Sequence, residues 1–279
     1  MTLTVIHFLL VPILASLVIA SIHTYLGLHV VERGVIFVDL ALAQIAVLGS
    51  SVALLVPAFA HDPHGSAVYW VSLAFTFGGA AIFSLIKGHT AKIPQEAIIG
   101  ICYAVASAAV IVVMSQAEGQ SEHLKEMLIG NIIAVSWKEV WQTAAIYSGI
   151  AAFHLAFKHR FLEITMDPKG AAARGVHVRL WDFLFYASFG VVVTRSVAIA
   201  GVLLVFCYLI VPSVGGMLFS RRIGPRLAIG WVMAGAVSFL GMYFSVLLDL
   251  PTGATIVCTF GLVLILMALA RVAIRTGRA

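Results

Sequence analysis

The stretch VAIAGVLLVFCYLIVPSVGGMLF, residues 197–219, decides the fold class. It contains no acid and no base, and it exceeds the roughly 20 helical residues that cross a bilayer's hydrocarbon core. In lipid each backbone N–H and C=O must be satisfied within the segment, so such a run is an α-helix. Pro212 lies deep in it, followed by Gly215 and Gly216, which marks a break in the helix. Breaks at that depth are tolerated where neighbours or a cavity satisfy the freed backbone. Outward from this run the pattern repeats near 5–28, 35–58, 68–86, 95–115, 138–157, 180–194, 227–248 and 252–270, with 180–194 short. The ten-residue alternation of barrel strands does not occur. An apolar stretch near 127–135 is too short to span and reads as a re-entrant or half-helix. The expectation is an all-α, polytopic transmembrane helix bundle: one domain over 1–279, about nine spanning segments and one half-helix.

Composition agrees. Apolar residues make up 62% and charged residues 10%, against about 45–50% and about 25% in soluble domains. So few charges could not cover a water-facing surface. The net charge of +5 is explained by topology and does not call for nucleic acid. With the first helix running from outside to inside, the inner segments carry Arg33, Lys87, Lys92, Lys158, Arg160, Lys169, Arg174, Arg179, Arg221, Arg222, Arg226, Arg271, Arg275 and Arg278. The outer segments keep only Lys125, Lys138 and Arg195. That asymmetry predicts an outside N-terminus and a cytoplasmic C-terminus. No Lys or Arg precedes the first apolar run, so it reads as an uncleaved helix rather than a signal peptide. Cys102, Cys207 and Cys258 lie inside apolar runs without metal-finger spacing and read as small buried hydrophobes.

No phosphate-cradling G-x-x-x-x-G-K-[ST] loop occurs, and neither G-x-S-x-G nor H-E-x-x-H is present. The chain is therefore read as a non-enzyme that binds no nucleotide by a P-loop. An ionisable residue in the bilayer is costly and points to function. Asp39 is the main case, with Gln44 the next polar group along the second helix. A carboxylate and an amide oxygen can hold a cation. Two readings stand for Asp39: a place on an ion path, or a local cap near the cytoplasmic end. Gln44 either faces the same path or bonds between helices. The separation of five places the two side chains about 140° apart on a regular helix, and a π-bulge would bring both to one face. His23 and His29 lie close by in sequence, and Glu96 reads as a cap at the start of the fourth helix. Outside, His61, Asp62 and His64, and Glu122 with His123, form either plain solvated loops or a weak divalent-cation mouth. The long inner segment near 158–180 encodes a short helix: Asp167 as cap, Pro168 in the first turn and Gly175 as stop. Ala171 and Gly175, one turn apart, predict a small face that lets another surface approach closely.

At these residues the sequence resembles the membrane permease subunits of zinc- and manganese-importing ABC transporters, over nearly the whole chain. Arg33 to Gly49 is similar to the family's Arg-bearing start, acidic residue and small-residue helix ending in Leu-Gly. Glu96 followed by Gly100-Ile101, Leu128-Ile129-Gly130-Asn131, Gly201 with Pro212, and Asp249-x-Pro251-x-Gly253 fall in the family's order. Pro168, Ala171 and Gly175 match the cytoplasmic helix that in the family docks on the ATPase. The resemblance implies a permease translocating a divalent metal cation (zinc, manganese or iron), with no permanently bound cofactor. It implies ATP-binding cassette ATPase subunits inside, an extracytoplasmic metal-binding protein outside, a second permease copy, and a prokaryotic inner (plasma) membrane. One departure stands out: the family's second helix commonly reads Asp-x-x-x-His, whereas here Gln44 replaces the His and Asp39 precedes it by five. An ABC permease for another small solute, an ATPase-independent channel or secondary carrier, and a non-transporting scaffold are the alternatives.

Overall fold

The structure is a computed structural model that describes residues 3–60, 62, 65–86, 93–115 and 130–276. Among these residues it is all helix, without a strand. The helices are α1 (Leu3–Arg33), α2 (Val38–Leu54), α3 (Pro57–Ala60), α4 (Ser66–Ile86) and α5 (Gln95–Met114), then α6 (Trp137–Ala156), α7 (Lys158–Met166), α8 (Pro168–Ala173), α9 (Val178–Phe219), α10 (Ile223–Leu248) and α11 (Thr252–Thr276). A single 3-10 turn, Ile132–Ala134, occupies the described part of the expected half-helix.

Among the described residues six helices are long and apolar enough to cross a membrane: α1, α4, α5, α9, α10 and α11. At 17 residues, α2 is an apolar helix somewhat shorter than these. α6 has the length but not the hydropathy, because Lys138, Glu139 and Gln142 occupy its first turns. The two runs expected at 180–194 and 197–219 are joined in α9, two helical stretches that meet at a kink at Gly201 (φ 75°, ψ 161°). At 1.5 Å per residue the stretches 178–200 and 202–219 run about 35 Å and about 27 Å, each near the hydrocarbon thickness. Only glycine readily adopts the conformation at that break. The three cysteines form no disulfide, and Cys258 is exposed on α11 rather than buried.

The chain resolves into two compact units. The first comprises Met1–Val31, Leu128–Ser148 and Ile199–Ala279. Its helices close on small residues, as membrane helices do where backbones approach. A Cβ on Gly27 would strike the Leu209 carbonyl, and one on Gly241 would come 2.7 Å from Ile256 Cα. Hydroxyls add interhelical bonds: Tyr208 shares one with Ser238 (2.9 Å), and the Trp231 indole N–H donates to the Ser21 carbonyl (2.9 Å). Gly130 (φ 72°) lies flush on the α9 break, where a Cβ would overlap the backbone of Ala200. The Asp249-Leu250-Pro251-Thr252-Gly253 turn is built from left-handed Asp249 (φ 53°), with Ser245 Oγ bonded to the Leu250 carbonyl and to Thr252 Oγ1, both at 2.7 Å.

The second unit comprises Glu32–Met127 and Gly149–Ala198. Within it α2 packs on α4 and α5. Gly49 brings α2 to 2.8 Å from Ser72 Cα for a hypothetical Cβ, and Ser72 Oγ donates to the Ala46 carbonyl at 2.7 Å. Thr76 on α4 and Thr194 on α9 share a hydrogen bond at 3.0 Å, beside Gly190. An aromatic cluster of Phe153, His154, Phe157, Phe161, Trp181 and Phe185 fastens α7 to α6 and α9.

Candidate functional site

α2 is a continuous α-helix from Val38 to Leu54 and contains no π-turn. The bulge expected between Asp39 and Gln44 is therefore replaced by regular geometry, and their separation of five leaves them about 140° apart. Both are buried, Asp39 at 1% exposure and Gln44 at 5%. Neither Asp39 oxygen has a hydrogen-bond partner, so Asp39 does not act as a cap. The cap comes from another helix: Glu96 Oε1, at the start of α5, accepts the Phe37 N–H at 3.0 Å. Glu96 thus serves the start of α2 rather than its own helix. Its second oxygen, Oε2, is buried without a partner. In the other unit, the buried His23 ring donates from Nδ1 to the Ile19 carbonyl (2.8 Å), and the His29 ring stands edge-on to Tyr25.

A buried ion pair escaped the sequence reading. Arg33, at the end of α1, donates from Nη1 to Asp182 Oδ1 at 2.8 Å, with side chains 3% and 0% exposed. Its Nε donates to Thr165 Oγ1 of α7 (3.0 Å), and its guanidinium lies 4.0 Å above the Phe185 ring. One side chain therefore joins α1, α7 and α9. The signal was available: Asp182 is an acid at the edge of an apolar run, as costly there as Asp39.

The segment expected to couple to an ATPase forms α8, as read from the sequence. Asp167 caps it by accepting the Gly170 N–H at 2.8 Å, with Pro168 in its first turn. Gly175 (φ 81°) closes it: Gly175 N–H donates to the Ala172 carbonyl and Val176 N–H to that of Ala171, both at 3.0 Å. That pair of bonds is the Schellman arrangement. The expected small face is corrected. Ala171 is fully buried in the chain, because α8 turns that side inward. Exposed instead are Met166, Pro168, Lys169, Ala172, Ala173 and Gly175. Glu163 of α7 ties back to α8 through Arg174 (2.7 Å), which holds its carboxyl below the usual range.

Of the expected outer mouth, Asp62 is exposed; His61, His64, Glu122 and His123 lie outside the described residues. Among the described residues no three His, Cys, Asp or Glu side chains are gathered as a metal-ligand set.

Comparison with known proteins bears on the whole chain. The model of the ABC 3 transport family matches residues 5–271. The "Manganese transport system membrane protein MntC" of Halalkalibacterium halodurans is 26% identical over 244 residues, 87% of this chain and 80% of the relative. A Haemophilus influenzae "Probable iron transport system membrane protein" is 23% identical over 250 residues, covering 90% and 85% of the two chains. The fold is shared with PsaBC from Streptococcus pneumoniae, solved in complex with Fab, at a TM-score of 0.77 and 20% identity, over 94% of this chain and 91% of that one.

Proposed function

The chain belongs to the ABC 3 transport family, and from that membership we propose that it is the membrane permease of an importer that moves a divalent metal cation into the cell. The relatives above are named for manganese and iron transport, and these, with zinc, are the cations the proposal covers. The observation within the chain that carries it is Asp39, a carboxylate buried in an apolar helix with both oxygens unpartnered. A permanent structural role would supply donors; a passing cation accounts for their absence.

The chain is the translocation subunit, and ATP is hydrolysed by separate cassette subunits beneath it. The whole of 1–279 acts as one permease domain, paired with a second copy and fed by an extracytoplasmic metal-binding protein. Nine crossings follow if α1, α2, α4, α5, α6, α10 and α11 each cross once and the two stretches of α9 on either side of Gly201 each cross once. The N-terminus is then outside and the C-terminus cytoplasmic, as the Lys and Arg distribution favours. On this reading α8 lies on the cytoplasmic side and meets the ATPase through Pro168, Ala172 and Gly175, with Ala171 supporting it from within. Gln44 lines the path separately from Asp39, and the outer mouth takes in His61, Asp62, His64, Glu122 and His123.

The test is radiolabelled manganese uptake in cells stripped of their own manganese importers, with the chain expressed beside its ATPase and binding protein. Uptake should require all three components and hydrolysable ATP. Asp39→Ala should abolish it at unchanged levels of membrane protein. Uptake that persists without the ATPase, or at full rate in Asp39→Ala, would overturn the proposal.

A further inference from the structure

Helices α10 and α11 form an antiparallel hairpin, and an apolar groove of about 460 Å³ opens between them. Its walls include Ala228, Val232, Ala236 and Leu240 of α10 and Val263 and Met267 of α11. The four α10 residues recur every fourth position, so they share one side of that helix. The two alanines leave hollows between the longer Val232 and Leu240. All four are exposed, so the groove is open at the surface. One end of the hairpin is purely cationic. Residues 222–248 and 252–276 hold no acid, and their charged residues are Arg222, Arg226, Arg271 and Arg275, all at that end. Gly241 meets Ile256, and counting equally from that contact along the two helices sets Arg271 level with 226. Arg271 stands one turn beyond Met267, about 6 Å along the axis, and Arg222 about 9 Å beyond Ala228. Arg226 gives its Nε to the Ser220 carbonyl. Among the described residues no ion pair engages Arg222 or Arg271.

We propose that this groove holds one acyl chain of an anionic phospholipid, whose phosphate sits between Arg222 and Arg271. The length of the groove favours a lipid chain. From Ala228 to Leu240 it runs about 18 Å, close to the roughly 15 Å that the chains of one leaflet fill. It stops about 12 Å short of Leu248, where a spanning helix of another protein would go on. The charge favours an anionic headgroup. Arginine pairs with phosphate through its fork of N–H donors, and basic pockets at helix ends on the cytoplasmic side take acidic lipids. On the topology proposed above this end of the hairpin is the cytoplasmic one. A bound lipid of this kind would cover apolar surface that α10 and α11 leave open, and would neutralise arginines that have no acid of their own.

Native mass spectrometry of the delipidated permease in detergent tests both halves of the site. The probes are phosphatidylglycerol and phosphatidylcholine with identical chains. Each arginine near an anionic lipid contributes about five-fold in affinity, so the unaltered chain should prefer phosphatidylglycerol by roughly ten-fold or more. Arg222→Gln combined with Arg271→Gln should bring the two lipids level. Ala236→Phe fills the groove from an exposed position, so it should lower retention of both lipids and leave the thermal midpoint unchanged. Should it fail to fold, Ala228→Phe fills the other end of the groove. Equal retention of the two lipids by the unaltered chain, or unchanged retention in a folded groove-filling variant, would overturn the proposal. So would a dimer that Ala236→Phe splits into monomers, since the groove would then belong to a second copy of the chain. Metal import plays no part in any of these readings.

Discussion

At Gly175 the fold uses the backbone rather than the missing side chain. Nothing lies within 4 Å of where a Cβ would sit, yet φ is 81°. Gly175→Ala should therefore cost about 1–2 kcal/mol through left-handed strain, seen as faster exchange of the Val176 amide. Ala171, fully buried, behaves oppositely: Ala171→Leu should overpack and lower stability by about 1–3 kcal/mol, read as a depressed thermal midpoint. Ala172→Leu, on the exposed side, should leave the midpoint unchanged and uncouple ATP hydrolysis from uptake. Unaltered coupling there would remove α8 from the ATPase contact. The contrast marks the limit of sequence reading at this scale. Asp167, Pro168 and Gly175 were legible because capping rules are local. Which side of α8 faces inward depends on the tertiary packing that buries Ala171, and no local rule carries that.

Among the elements, α7 is tied at both ends. Phe161 and Thr165 hold it inward, while Glu163 bridges Arg174 and Arg160 outward. Because the Glu163 pKa is lowered, the outer tie is complete at neutral pH and is lost only as pH falls through that lowered value. Arg33, which holds Thr165, is itself anchored by its buried pair with Asp182. Removing one member of a buried ion pair leaves an uncompensated charge and costs about 3–5 kcal/mol, whereas replacing both by apolar residues is often neutral. Arg33→Met and Asp182→Leu should each deplete folded permease, and the double variant should restore it, measured as monodisperse protein after extraction. If the restored double variant also transports at the normal rate, the pair serves stability alone. If it folds but fails to transport, the pair carries motion between α9 and α1. α2 shows how an element departs from expectation: its sequence spacing permits either a bulge or a plain helix, and packing against α4 and α5 through Gly49 and Ser72 accompanies the plain one.

Over the whole molecule, the all-helical membrane architecture was legible from composition and run length, since lipid leaves few alternatives. The count of crossings was less so. Hydropathy cannot separate two adjoining spans from one long helix broken at Gly201, because the break is a matter of dihedral angle rather than polarity. Single cysteines placed at 179, 222 and 271 in a cysteine-free chain should react only with reagents reaching the cytoplasmic side, and one at 62 only from outside. Labelling of 179 and 62 from the same side would break the nine-crossing topology. The candidate site was half legible. Asp39 announced itself by charge, but Glu96 reaches the start of α2 only through folding, its bond to the Phe37 N–H spanning 59 positions of sequence. The Arg33–Asp182 contact spans 149 positions, and it has a historical consequence. Neither residue can change first without passing through a crippled intermediate. Over evolutionary drift the two should thus be replaced together or not at all, leaving a correlated trace across descendants of this gene that neighbouring surface charges such as Lys158 and Lys169 will lack.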